Sequence, residues 1–384
     1  MITRTRQINL ALTAALIAAA MACQAHDSAA RHGDGRPAPA AARGFTLVAA
    51  GAVLPDSSVL ERANSDAGGT GYDFRPMLAG IRPVVSGADL AICHLATVDD
   101  AAADHTGSPA FESPPQVAEG LAATGYDSCS TATRYTLDDG ADGIRRTLDT
   151  LDRAGVRHTG SARTAREATA TPLMRAGGAK VAHLAYTDGT NGLPLPTEQP
   201  WAVGLADPDR IVADARAARR AGADVVVVSL DWGTAWQDAP DERQLLLSGR
   251  LTASRTGGRP DIDLILGTGA HVPQAYEKVN GTWVVYGTGD QIAGEMYNGL
   301  GVQDPRGNES TVGRFTFAPP ARPGGRWEVT KAEFVPEAYD LDAGRVVDLD
   351  AALEQGATVG SVRDRIRDVV LGRGAGRAGL VMGK

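Results

Sequence analysis

Asp224-Val225-Val226-Val227-Val228-Ser229-Leu230-Asp231-Trp232-Gly233 is the stretch on which the fold turns. Four consecutive β-branched residues leave no polar face, so the strand they form is covered on both sides, as a central parallel strand is. A helical pattern at 207–221 precedes it. That pattern opens on Asp207-Pro208, a carboxylate N-cap followed by proline at the first helical position. Working outward, the same alternation of strand and helix repeats. Strand-like apolar runs lie at 45–53, 89–95, 126–130, 180–186, 223–230 and 261–266, and helical patterns lie at 140–154 and 241–254. Alternation of this kind predicts an α/β fold built on βαβ units.

Beyond residue 270 the pattern changes. Runs at 275–279 and 282–286 flank Asn280-Gly281, the signature of a type I′ hairpin, and further strand-like runs follow at 311–317 and 327–334. These antiparallel strands either extend the same sheet or form a second layer. No internal repeat is present.

The chain has 384 residues, with 43% apolar and 22% charged, the balance of a globular protein rather than a disordered one. Its 38 basic residues face 46 acidic ones, so a nucleic-acid surface is not expected. At the N-terminus Arg4 and Arg6 precede an apolar run at 8–21 that is too short to span a bilayer and suits a signal peptide. It ends in Ala20-Met21-Ala22-Cys23, which suits either ordinary cleavage or lipid attachment at Cys23. The expected organisation is a signal peptide at 1–22, a flexible Ala/Pro/Gly tether at 23–43, a large domain at 44–340 and a C-terminal extension at 341–384. An exported, extracytoplasmic location follows, with membrane contact only through the signal or a lipid anchor.

Ligands in such folds gather at the carboxyl ends of the parallel strands. The residues there are Gly51-Ala52 and Asp56; Cys93-His94-Leu95-Ala96; Thr131, Thr133-Arg134-Tyr135 and Asp138; Asp231-Trp232-Gly233; Gly267-Thr268-Gly269-Ala270-His271; and Gly287-Thr288-Gly289-Asp290. In order, spacing and flanks, from about Phe45 to Ile292, this series resembles the CapA family of capsule and poly-γ-glutamate synthesis proteins. "DLAICHL", "GYDSCSTATRYTLDDG", "DLILGTGAHVPQ" and "VVYGTGDQ" carry the likeness. The resemblance implies a calcineurin-like metallophosphoesterase fold, a layered α-β-β-α sandwich with a C-terminal antiparallel extension.

Several residues depart from the family pattern where chemistry is expected. The pattern has Asp at Ala52, Glu at Ala96, Asn-His at Arg134-Tyr135, His at Asp231 and His at Gly269, whereas Asp138, His271 and Asp290 fit. A binuclear hydrolase needs two cations about 3.5–4 Å apart, held by carboxylates and imidazoles. Alanine and glycine side chains offer no lone pair, and Arg134 would place a fixed positive charge beside the cations. The seven histidines do not make up the shortfall. His26 and His32 fall in the tether, His105 and His158 in loop or helix-end contexts, and His183 mid-strand as a core residue, leaving His94 and His271.

The expected function is therefore that of an exported CapA-like cell-envelope protein with a degenerate metal centre and little or no hydrolase activity. Its expected partner is an anionic envelope polymer or the machinery that makes it, and no cofactor is expected. The alternative is an active phosphoester or amide hydrolase with a divalent ion in a rebuilt site of Asp56, Asp138, Asp231, His271 and Asp290, an oxygen-rich set. A structural relic with no ligand is a third reading. Against the metal role, Asp138-Asp139 reads as the cap of the helix beginning near Gly140. Trp232 and Trp236 line a pocket wall or merely pack. Gly374, Gly376 and Gly379 match a dinucleotide fingerprint by letter only, following no strand and opening no helix. Cys93 and Cys129 fall at equivalent points of the second and third strands, which are neighbours if the sheet follows sequence order, so a disulfide is expected.

Overall fold

Strand β1, Phe45–Val53, sets the geometry because alternate residues face different layers. Val48 and Ala50 pack outward with helices, whereas Leu47 and Ala49 pack inward against a second sheet. The computed structural model describes residues 43–99, 112–322 and 325–384. The apolar run at 8–21, Cys23, His26, His32 and His105 lie outside the described residues.

The first sheet is built on β1, β2 (Leu90–Leu95), β3 (Ser128–Ser130) and β4 (Arg157–Thr159), parallel and in sequence order. The second contains β5 (Leu173–Ala176), β6 (Ala179–Thr187), β7 (Val225–Asp231), β8 (Leu264–Thr268) and the hairpin β9 (Tyr276–Val279) and β10 (Thr282–Val285). Its order is β9-β10-β8-β7-β6-β5, with β6, β7, β8 and β10 parallel. Asn280 and Gly281 both have positive φ, 49° and 85°, as a type I′ turn requires.

The remaining strands join the first sheet. They are β11 (Asp290–Ile292), β12 (Glu309–Ala318), β13 (Glu328–Asp340), β14 (Arg345–Asp348) and β15 (Leu380–Met382). β12 lies antiparallel to β1, β13 and β14 follow it outward, β11 runs beside β1 and β15 beside β13. Both sequence alternatives are thus realised. The hairpin extends one sheet and the later strands extend the other.

Helices α1 (Ser57–Asp66), α2 (Gln116–Thr124) and α3 (Gly140–Ala154) cover the first sheet through Val59, Leu121, Ile144 and Leu148. Helices α4 (Pro208–Arg220) and α5 (Glu242–Ala253) cover the second through Ile211, Ala215 and Leu251. Between the sheets, Phe45, Leu47 and Ile92 meet Val181, Val225, Val227 and Leu266. The architecture is an α-β-β-α sandwich. Helix α6 (Gly360–Leu371) adds Ile366 and Val370 to the intersheet core, so residues after 341 pack into the same body.

One polar link crosses these layers, and one covalent bond joins neighbouring strands of the first sheet. His183 sits mid-strand on β6, and its ring nitrogens lie 2.9 Å from Ser128 Oγ on β3 and 2.9 Å from Ser229 Oγ on β7. Burial, with His94 nearby, pushes its pKa down to about 3, so it is a neutral link between sheets. Cys93 and Cys129 stand opposite each other on β2 and β3 and form a disulfide with Cα atoms 4.4 Å apart. No helix among the described residues is long and apolar enough to cross a membrane.

Candidate functional site

The loops leaving β1, β2, β3, β7 and β8 converge on one place. Ala52 pairs with His94 on one side and with Asp290 on the other. Gly51 allows this close approach, since a Cβ there would lie 2.6 Å from Gly289 O and 2.9 Å from Gln291 N.

Asp231, buried at the end of β7, is the hub. Its Oδ2 accepts hydrogen bonds from the Arg134 backbone N–H at 2.8 Å and from the Thr187 hydroxyl at 2.9 Å. Arg134 Nε lies 4.0 Å from the same oxygen, and Arg134 Nη2 donates to Gly269 O at 3.1 Å. Gly269 has φ +97°, and a Cβ at this position would collide with Asp231 Oδ1. A histidine cannot stand there while Asp231 holds its present place.

His94 Nε2 lies 4.0 Å from Asp231 Oδ1, and neither ring nitrogen makes a hydrogen bond among the described residues. Burial lowers its pKa against the upward pull of Asp231 and Asp290, so the ring is neutral at pH 7. His271, held at φ +64°, places Nδ1 2.8 Å from Asp290 Oδ2, while Asp290 Oδ1 is buried without a partner among the described residues. The Trp236 ring lies 5.6 Å from the His271 ring, centroid to centroid.

The positions where the family pattern has carboxylates are packed with carbon. Ala52 and Ala96 form a cluster with Leu54, Ala293 and Met296, against which Tyr135 and Trp236 lie. Burial raises the Tyr135 phenol well above its ordinary value and keeps it neutral. Trp232 is fully buried with Nε1 donating to Tyr286 O at 2.8 Å, a packing role.

The oxygen-rich set is brought together only in part: His271 meets Asp290, while Asp56 and Asp138 are engaged elsewhere. Asp56 caps α1, with Oδ1 accepting from the Ser58 N–H, the Ser58 hydroxyl and the Val59 N–H at 2.9, 2.7 and 3.1 Å. Asp138 is hydrogen-bonded to Asn191, and burial raises its pKa to about 6. The capping expectation for Asp138-Asp139 holds in position but not in bonding. Asp139 occupies the N-cap of α3 but makes no side-chain cap bond, because its carboxylate is drawn to Arg146. Among the described residues, no group of three or more His, Cys, Asp or Glu side chains is arranged to hold a metal ion. Thr187 is the contributor that sequence reading missed. It is the residue after the strand-like run at 180–186, so the rule applied to the other strands would have found it.

A probable polyglutamine synthesis accessory protein of Mycobacterium tuberculosis is 26% identical over 204 residues, 50% of this chain and 51% of that protein. The capsule biosynthesis protein CapA of Bacillus anthracis is 24% identical over 172 residues, 44% of this chain and 40% of that one. The chain therefore spans about half the length of the curated relatives it matches, or less. Among solved structures, a 5'-nucleotidase precursor from Thermus thermophilus aligns with TM-score 0.48 at 14% identity, over 84% of this chain and 59% of that one. Residues 46–295, more than half of the chain and the whole span of the strand-end series, match the family described as bacterial capsule synthesis protein PGA_cap, and the chain belongs to that family.

Proposed function

We propose that this protein is an exported, cell-envelope accessory component of capsule or poly-γ-glutamate-type polymer synthesis whose metal centre has been lost, leaving little or no hydrolase activity. One observation carries the reading. The donors a two-metal centre needs are replaced by carbon at Ala52 and Ala96, and the carboxylates that remain are engaged, Asp231 by Arg134 and Thr187 and Asp290 by His271. Two cations would need several anionic ligands around them. Here a guanidinium stands 4.0 Å from the hub carboxylate, and Coulomb repulsion opposes a cation at its side. The residues present do not fit the group that the fold implies.

In this reading the protein acts by binding, its partner being an anionic envelope polymer or the machinery that makes it. The N-terminal apolar run and Cys23 would deliver it to the envelope, by signal peptide alone or with a lipid anchor. The test is hydrolysis of a generic phosphodiester, bis(p-nitrophenyl) phosphate, by purified full-length protein with added Mn²⁺. The expected rate equals that of buffer with Mn²⁺. A metal-dependent rate that disappears in Asp231→Asn would overturn the proposal in favour of a rebuilt hydrolase site.

A further inference from the structure

A cleft of about 520 Å³ opens away from the strand-end site, and none of Ala52, Ala96, Arg134, Asp231, Gly269 or His271 lines it. It lies where the two sheets share an edge. β4 is the last strand of the first sheet, and β5 pairs with β6 only as far as Ala182, so Leu184–Tyr186 extends past that partner. The segment at 202–205 ties the two edges together. The Gly204 N–H donates to Gly160 O at 2.7 Å, and the Thr187 N–H donates to Gly204 O at 2.8 Å. Gly160, Ala162, Ala185 and Gly204 line the space, and their small size leaves it open. Its volume is within the range of small-molecule sites, about 300–1,000 Å³.

The chemistry of the walls is specific. Trp201 supplies an aromatic face, and its Nε1–H is buried with no acceptor among the described residues. On one side the Tyr186 hydroxyl donates to Asp214 at 2.9 Å, and Arg210 lies 3.6 Å from the same carboxylate. On the other, Arg163 holds Asp152 at 2.8 Å and Glu167 at 2.5 Å, and His158 Nε2 is 3.2 Å from Asp152. Burial holds His158 below its ordinary pKa. Three arginines, Arg157, Arg163 and Arg210, and three carboxylates, Asp152, Glu167 and Asp214, line the cleft; Asp149, also paired with Arg163 at 2.5 Å, lies outside its lining.

A charge-balanced wall gives an anionic or cationic ligand no net Coulombic gain, which removes the usual reason to bind one. Planar carboxylates and guanidinia in fixed orientation instead suit a ligand with several neighbouring hydroxyls, each donating and accepting. An indole beside them suits the C–H face of a ring, since tryptophan combines a large apolar surface with one polar edge. Both demands meet in one ligand class. We propose that this cleft is a carbohydrate site that takes a neutral pyranose unit, its apolar face on Trp201 and its hydroxyls on Asp214, Arg210 and the Asp152–His158 edge. The inference stands apart from the strand-end site and does not depend on whether that site holds metal.

The test uses full-length protein and saturation-transfer NMR with glucose, galactose, N-acetylglucosamine and maltose as probes at millimolar concentration. At least one sugar should bind saturably. Its affinity should fall by roughly tenfold or more in Trp201→Ala and in Asp214→Asn, each checked by circular dichroism. Asp214→Asn keeps the side-chain shape, so it carries the test if Trp201→Ala does not fold. Absence of saturable binding by any of the four sugars would overturn the proposal. So would binding that survives both substitutions, or a cleft that takes a glutamate oligomer and no sugar.

Discussion

Removing the Cys93–Cys129 disulfide should cost about 3.8 kcal/mol of stability. The bond joins residues 36 apart in sequence. Taking 36 as the loop length, the chain-entropy relation, about −2.1 − 1.5R ln n cal/mol/K, gives about −12.8 cal/mol/K, hence about 3.8 kcal/mol at 25 °C. Both cysteines are buried in the core between the first sheet and its helices, so Cys93→Ala with Cys129→Ala adds a packing loss to the entropic one. The bond also ties together the two strands that carry His94 and Ala96 at one end of β2 and lead to Arg134 and Tyr135 after β3. The assay is urea unfolding of the oxidised protein and of the double variant, followed by tryptophan fluorescence. With a slope of about 3 kcal/mol/M the midpoint should fall by at least about 1.3 M. Equal midpoints, or two titratable thiols in the native protein, would refute the reasoning.

Three further perturbations test other parts of the structure. Glu337 is fully buried, accepts hydrogen bonds from Gln291 and Ser310, and is pushed by burial to about 8 from an ordinary 4.5. The folded state then binds the extra proton between those values, so stability falls as pH rises from 4.5 to 8, and melting curves of Glu337→Gln should lose that slope. His183 acts with the opposite sign. With a folded pKa of about 3 against 6.5, the unfolded state binds more protons, and stability falls as pH drops from 6.5 towards 3. His183→Leu should abolish that dependence while leaving two buried serines unpaired, at about 1–3 kcal/mol each by thermal denaturation. Gly269→Ala should destabilise by at least about 1–3 kcal/mol, from its φ of +97° and the collision with Asp231. A variant as stable as the parent would mean that Asp231 does not sit where the structure places it.

The fold was legible wherever a local rule governed it. The run at 45–53 alternates between two apolar environments and folds as β1 over the same residues, and Asn280-Gly281 makes the turn its letters require. Where β12 and β13 would attach was not legible, because either sheet offered a free edge, and only the register of β12 on β1 decides it. At 126–130 only Ser128–Ser130 is strand, since the Tyr126 N–H is still bonded to Leu121 O at the C-terminal end of α2. The strand-end series includes Asp231 and Arg134, which the structure brings together, but it omits Thr187 and does not report what Asp231 bonds to. Whether Asp231 faces a cation or the Arg134 N–H depends on a contact across 97 positions, and no periodicity reports it. The edge cleft was invisible for the same reason, since it rests on residues 160 and 204 meeting.

The central claim is that a capsule-synthesis scaffold here carries no catalytic metal centre. Its most direct test is elemental analysis of full-length protein, purified without chelator and then dialysed against Mn²⁺ followed by metal-free buffer. The account predicts far less than one transition ion per chain, whereas two tightly retained ions per chain would contradict it.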